Sequence, residues 1–214
     1  MPELSFEVLR AEPVLYAPSP SIRFALDVRN AIEDERVESV ALQAQLRIET
    51  KLRPYDARAE VHLVELFGPR EMWKTSQRSM LWAQPSVTAP AFRGRTETEL
   101  CVPCTYDFEV ATAKYFHAIE HGGIPLLFLF SGTVFYRDSS GALQIAQIPW
   151  SQEASFRMPV EVWKQTMEHY FPNSAWLRLR KDIFDRLYLY KAGRTLPTWE
   201  AAPEELLEAA LVKA

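Results

Sequence analysis

Apolar and polar residues alternate along three early stretches of the chain. In LSFEV, Leu4, Phe6 and Val8 take turns with Ser5 and Glu7; in IRFALDV, Ile22, Phe24, Leu26 and Val28 take turns with Arg23, Ala25 and Asp27. VALQAQLRI sets Val40, Leu42, Ala44, Leu46 and Ile48 on one side. A period of two is that of a half-buried antiparallel strand with its apolar side inward. The stretches between, AEPVLYAPSPS and NAIEDER, carry the Pro, Asn, Ser and charged residues of turns. VHLVELF at 61–67 reads as another strand, and RTETELCV at 95–102 as a further one with Thr98, Leu100 and Val102 on one face. GPREMWKTSQRSMLW at 68–82 is less regular; Pro69 is placed to open a short helix, and Trp73 and Trp82 to pin it.

The period then lengthens. Residues 106–121 read as a helix, with Asp107 as N-cap, Gly122 as stop, and Phe108, Ala111, Tyr115 and Ile119 along one stripe. A hairpin and strand follow over 124–158, turning at Asp138 to Gly141, and the opening IPLLFLF is apolar on both sides, as in a strand covered on two faces. Residues 159–214 read as helical: Val160, Trp163, Met167 and Tyr170 share one face, Pro172 to Ser174 break the run, and Ser174 caps a helix over 175–190 with Leu177, Ile183 and Leu187 inward. PEELLEAALVKA closes the chain. The expected fold is α+β in a single domain over 1–214: an antiparallel β-sandwich, immunoglobulin-like in style, with one covering helix and a helical C-terminal third.

Composition narrows the function. With 15 prolines, 7 glycines and no GxGxxG or GxxxxGK[ST] string, the chain offers no glycine-rich phosphate loop. A net charge of −4 gives no general attraction to nucleic acid or anionic membrane. The longest apolar run, IPLLFLF, is far too short to span a bilayer, and the N-terminal residues lack the pattern of a signal peptide. Two cysteines make no disulfide framework. The expected location is cytoplasmic.

Both cysteines fall in CVPCTYDFEVATAKYFHAIEH, where Cys101, Cys104, His117 and His121 have the spacing of a two-Cys, two-His zinc finger. Zinc takes four such ligands tetrahedrally, and two histidines four apart on a helix point one way. Phe108 also stands where a finger keeps its aromatic residue. Three features depart from the pattern: Lys114 and Glu99 occupy positions that a finger keeps apolar, Pro103 separates the cysteines, and Cys101 shares a face with Glu97 and Glu99. A chain of this length has no folding need for metal. The four residues stand as zinc candidates without a committed site, and Cys101 with Cys104 as an alternative dithiol pair lacking the βαβ setting of a thioredoxin.

No G-x-S-x-G elbow occurs. Arg178, Arg180, Lys181, Arg186, Lys191 and Arg194 mingle with Trp176, Tyr188 and Tyr190, a mixture that can bind single-stranded nucleic acid or an acidic protein surface. Asp182 and Asp185 interrupt it and the chain is acidic overall, which favours an amphipathic helix with a charged outer face. Trp163, Trp176, Arg178, Arg180 and Trp199 are the candidate partner-binding residues, since Trp and Arg dominate interface hot spots; the competing role for each tryptophan is core packing.

CTYDFEV, IPLLFLFSGTVFY and GRTLPTWEA, with LFGPREMW earlier, resemble an uncharacterised, mainly actinobacterial domain-of-unknown-function family over nearly the whole chain. The resemblance implies an accessory or assembly role, because genes of that family stand near those of nickel–iron uptake hydrogenases. It brings no catalytic residue and no metal ligand. The expected function is a non-enzymatic protein-interaction or assembly factor for a nickel–iron hydrogenase complex, with a hydrogenase subunit or its assembly machinery as partner and no cofactor. The alternative is a zinc or dithiol module centred on Cys101 and Cys104.

Overall fold

The alternating stretches become strands that pair antiparallel in a computed structural model, which describes residues 2–105, 107, 110–175 and 177–211. β1 (Leu4–Pro13), β2 (Ser21–Asn30) and β6 (Arg95–Pro103) form one sheet in the order β1-β2-β6. The second sheet is built on β3 (Val37–Ile48) and β7 (Gly123–Arg137). β4 (Met80–Ala83) and β5 (Ser86–Ala89) share the far edge of β3, whereas β8 (Leu143–Gln147) and β9 (Glu153–Pro159) pair with the two halves of β7.

Register follows the period-two pattern. Leu42, Ala44, Leu46 and Ile48 lie opposite Gly132, Phe130, Phe128 and Leu126. Gly132 has φ +144°, and a Cβ there would stand 2.0 Å from the Ala41 carbonyl oxygen, so this cross-strand approach admits only glycine. Across the sheets, Phe6 stacks on Phe130 with centroids 4.5 Å apart, and Phe24 meets Phe128 edge-on at 5.2 Å. Trp82 and Phe156 close on the same Phe24 ring. The two sheets therefore share one core.

The other face of the first sheet is a ladder of charges. Asp27, fully buried, is held by Arg29 and Arg95 at 2.5 Å each, and Arg29 reaches on to Glu7. Burial alone would raise the Asp27 carboxyl, but the hydrogen bonds from Arg95 and Arg29 outweigh it and hold it below the ordinary range.

Three helices of residues 1–175 matter for the site. The expected strand at 61–67 is instead part of α1 (Ala57–Phe67). Asp56 caps it by accepting from the Ala59 amide at 2.8 Å, Gly68 ends it at φ +73°, and Ala59, Leu63 and Phe67 form the buried stripe. A four-residue turn, α2 (Trp73–Ser76), then buries Trp73. The helix expected over 106–121 is shorter: α3 spans Ala111–Ala118, with Val110 at its N-cap and Ile119 already extended. Asp107 therefore lies ahead of the N-cap position. The buried residues of α3 are Thr112, Ala113, Tyr115, Phe116 and Ala118, with Ala111 exposed, and Phe108 lies outside the described residues. α4 (Val160–Tyr170) starts directly after β9, as its pattern predicts, and buries Val160, Trp163 and Met167.

Residues 176–214 form a second unit. Its helices are α5 (Lys181–Gly193) and α6 (Ala201–Leu211). The helix expected from 175 begins six residues later, with Arg180 rather than Ser174 at its N-cap. In LRLR at 177–180 basic and apolar residues alternate, which gives a helix no continuous face to bury.

Candidate functional site

The four zinc candidates do not gather. Cys101 lies on β6 opposite Arg23, exposed on the charged face. Cys104 sits just beyond that strand with its thiol 3.6 Å from the Val102 carbonyl, and burial pushes the thiol up to about 12. It is protonated at neutral pH and makes a poor nucleophile. Both thiols are free. His117 is on α3, but that helix ends at Ala118, so the spacing to His121 does not place the two rings on one helical face. Among the described residues no group of three or more His, Cys, Asp or Glu side chains is disposed to hold a metal.

The histidine that His117 meets is His62 of α1, with ring centroids 6.3 Å apart and planes nearly perpendicular. The alternation in VHLVELF points to a strand, and a strand gives His62 no place beside His117. The cue lay in Asp56 followed by Ala59, Leu63 and Phe67, a capped helix that sets Arg58 and His62 one turn apart on its next face. His62 Nδ1 stands 3.0 Å from the Arg58 carbonyl; since a carbonyl only accepts, Nδ1 carries the hydrogen and Nε2 is the open nitrogen of the neutral ring.

These histidines line a cleft of about 490 Å3 between α1, α3 and α4. Its apolar lining is Ala118, Trp163 and Met167, and its polar lining includes Arg58, Glu120, Lys164 and Glu168. Glu120 ties the walls together: its carboxylate accepts from Arg58 at 2.8 Å and its backbone carbonyl from Lys164 at 2.7 Å. Burial first, then the nearby His62 and Lys164, hold His117 below the usual imidazole range, which favours the neutral ring at pH 7.

Trp163, expected at a partner surface, is 3% exposed and stacks on Phe116 at 5.5 Å. It is a core residue, and its helical spacing with Met167 reflects that. Trp176 lies outside the described residues. Arg178 and Arg180 are exposed ahead of α5, where Arg180 pairs with Asp182 at 2.9 Å. Trp199 is 41% exposed and lies against Phe184 and Tyr188, with the Lys191 ammonium 5.7 Å from its ring. Arg194 joins Glu205 at 2.5 Å, linking the end of α5 to α6.

Around that small aromatic nucleus the second unit is open. Ala202 is its one buried residue among those described, while Leu177, Leu189, Leu207 and Leu211 are 74%, 69%, 65% and 77% exposed. Charge is segregated along it. Residues 177–194 carry Arg178, Arg180, Lys181, Arg186, Lys191 and Arg194 against Asp182 and Asp185, whereas 199–211 carry Glu200, Glu204, Glu205 and Glu208 and no base.

A family model for DUF6084, a family of unknown function, matches residues 1–214. The chain belongs to that family. No curated protein matches it by sequence. Among solved structures it is similar at low level to a β-glucosidase from Kluyveromyces marxianus, at 10% identity over 73% of this chain and 15% of that one, with a TM-score of 0.28. It is also similar to the ApaA protein from Bordetella pertussis, at 12% identity over 74% and 95% of the two chains, TM-score 0.27. A third similar structure is β-glucosidase 3B from Thermotoga neapolitana, at 12% identity over 73% and 17%, TM-score 0.28. The chain spans less than a fifth of the length of either glucosidase. No described helix is long and apolar enough to cross a membrane.

Proposed function

We propose that the protein is a non-enzymatic interaction or assembly factor, and that the α5–α6 hairpin is the element its partner protein covers. The supporting observation is the hairpin's exposure: four leucines stand in solvent around a unit that buries Ala202 alone among its described residues. Fully burying one leucine is worth about 1.5–3 kcal/mol, so covering a few of them supplies a large share of a stable association. Charge segregation states the partner's chemistry. It is a protein surface with an apolar strip, acidic where it meets 177–194 and basic where it meets 199–211. Arg178, Arg180 and Trp199 belong to this surface.

In this reading residues 1–175 are the scaffold. The strand order β1-β2-β6 against β4/β5-β3-β7-β8 corresponds to A-B-E against C′-C-F-G, which favours an immunoglobulin-like sandwich with α1, α2 and α3 inserted between its strands and further helices after it. The family resemblance names a nickel–iron hydrogenase subunit or its assembly machinery as the partner, and two free thiols suit the reducing cytoplasm.

The test uses the full chain purified gently from its native host, wild type beside a Leu189→Asp, Leu207→Asp, Leu211→Asp triple variant. Circular dichroism and thermal unfolding confirm that the variant keeps its folded body. The expected result is a stoichiometric hydrogenase-related partner with the wild type and at least ten-fold less with the variant. Recovery of the wild type alone, equal recovery of the partner by both proteins, or a homodimer that fills the hairpin by light scattering would each refute the reading.

A further inference from the structure

We infer that the cleft between α1, α3 and α4 is a binding site for a small organic carboxylate, held by Lys164, His62 and His117, with His117 taking up a proton as the anion enters. The inference is independent of the hairpin, because every residue it uses lies within 1–175.

The charged groups lining the cleft can be paired one by one. From α1 come Arg58 and His62, from α3 His117, from the segment after it Glu120, and from α4 Lys164 and Glu168. Arg58 is neutralised by Glu120 at 2.8 Å. Lys164 gives one hydrogen bond to a carbonyl, and no ion pair among the described residues neutralises it, although Glu168 follows one turn later on the same helix. Two of its three N–H groups remain for a ligand. The cleft thus holds an ammonium without a carboxylate beside two imidazoles, and Lys164 lies close enough to His117 to disfavour its protonation. An anion placed among the three reverses that: it offsets Lys164 and favours imidazolium at His117.

The rest of the cleft selects the ligand's body. Ala118, Trp163 and Met167 form the packed floor of the cleft, so the part of a ligand that reaches the floor meets apolar atoms, which a hydrocarbon or aromatic group suits better than a bare inorganic anion. A volume of about 490 Å3 lies in the range of small-molecule sites. The inferred ligand class is therefore a monocarboxylate with a compact apolar body.

Linkage gives the reading a signature. If one proton enters with the anion, affinity rises about ten-fold per pH unit as pH falls between the bound and free pKa values of His117, and it levels off below the free value, where the ring is already charged. Indole-3-acetate and benzoate are the probes, with indole as the control lacking the carboxylate and inorganic phosphate as the control lacking the apolar body. Binding to the full chain is followed by the imidazole resonances of His62 and His117 and by calorimetry in two buffers of different ionisation enthalpy. The expected result is saturable binding of a carboxylate with proton uptake from buffer, at least ten-fold tighter at pH 6 than at pH 8. Lys164→Gln should weaken it at least ten-fold, and His117→Gln should abolish the pH dependence. His62→Gln, at an exposed position, keeps the test usable should His117→Gln fold poorly. No saturable shift at 20-fold the protein concentration and above, equal binding of indole, or affinity that neither pH nor Lys164→Gln changes would overturn the inference.

Discussion

Phe24→Ala in β2 and Phe184→Ala in α5 delete the same ring from opposite environments. Phe24 is fully buried and meets Phe128, Trp82 and Phe156, rings supplied by the other sheet. Removing about 150 Å2 of buried apolar surface at about 25 cal/mol per Å2 costs about 4 kcal/mol. The unfilled cavity and the lost edge contacts place the expected loss at about 3–5 kcal/mol. For a chain of this size that lowers the melting temperature by about 6–20 °C. Phe184 is 41% exposed and its ring contact is with Trp199, so its loss should cost about 1 kcal/mol or less while weakening partner capture. Urea unfolding followed by tryptophan fluorescence and far-ultraviolet circular dichroism measures both. A cost for Phe24→Ala below about 1.5 kcal/mol, or no greater than that of Phe184→Ala, would refute the argument that the two sheets are joined through this ring.

The remaining predictions concern charge, backbone and thiols. Asp27→Asn should cost about 1–3 kcal/mol at pH 7, because Arg29 and Arg95 lose their carboxylate partner. The folded carboxyl is depressed, so its stabilisation is complete above the unfolded value of about 3.9 and lost as pH falls through the folded value. Urea midpoints of wild type and variant should accordingly converge in acid, and a gap unchanged from pH 7 to pH 2 would count against the pairing. Gly132→Ala forces a Cβ onto the Ala41 carbonyl and should cost at least about 2 kcal/mol more than Gly141→Ala, whose Cβ would meet open space; equal melting temperatures would contradict the register. A thiol reagent should modify Cys101 quickly and Cys104 only after denaturation, with zinc below about 0.1 equivalent in untagged protein; a full equivalent of zinc with both thiols blocked would restore the finger reading.

The strands built on Phe6, Leu42 and Leu100 were legible because each buries one face of a sheet, and burial on one face writes a period of two into the sequence. VHLVELF was misread because Val61 and Leu63 fit that alternation. Asp56 and Gly68 decide the matter, and they act through capping rather than periodicity. The site was legible only in halves. His117 drew notice through a spacing to His121 that its helix is too short to use, whereas its true neighbour His62 comes from a distant segment. Such a pairing depends on how α1 packs against α3, which local sequence does not encode. Trp163 and Trp199 were equivalent as letters, and packing alone separates a core ring from a half-exposed one.

The order β1-β2-β6 also has a consequence for timing during synthesis. β2 receives β1 on one side immediately, but its other edge waits for β6, and the ribosome must first complete residues 31–94. At about 5–20 residues per second this interval lasts several seconds, far longer than a hairpin takes to form. Throughout it, Ile22, Phe24, Leu26 and Val28 lie beside an unclosed strand edge. Chain elongation, rather than hairpin formation, therefore sets the earliest moment at which this sheet can close and the period in which another nascent chain can pair with it.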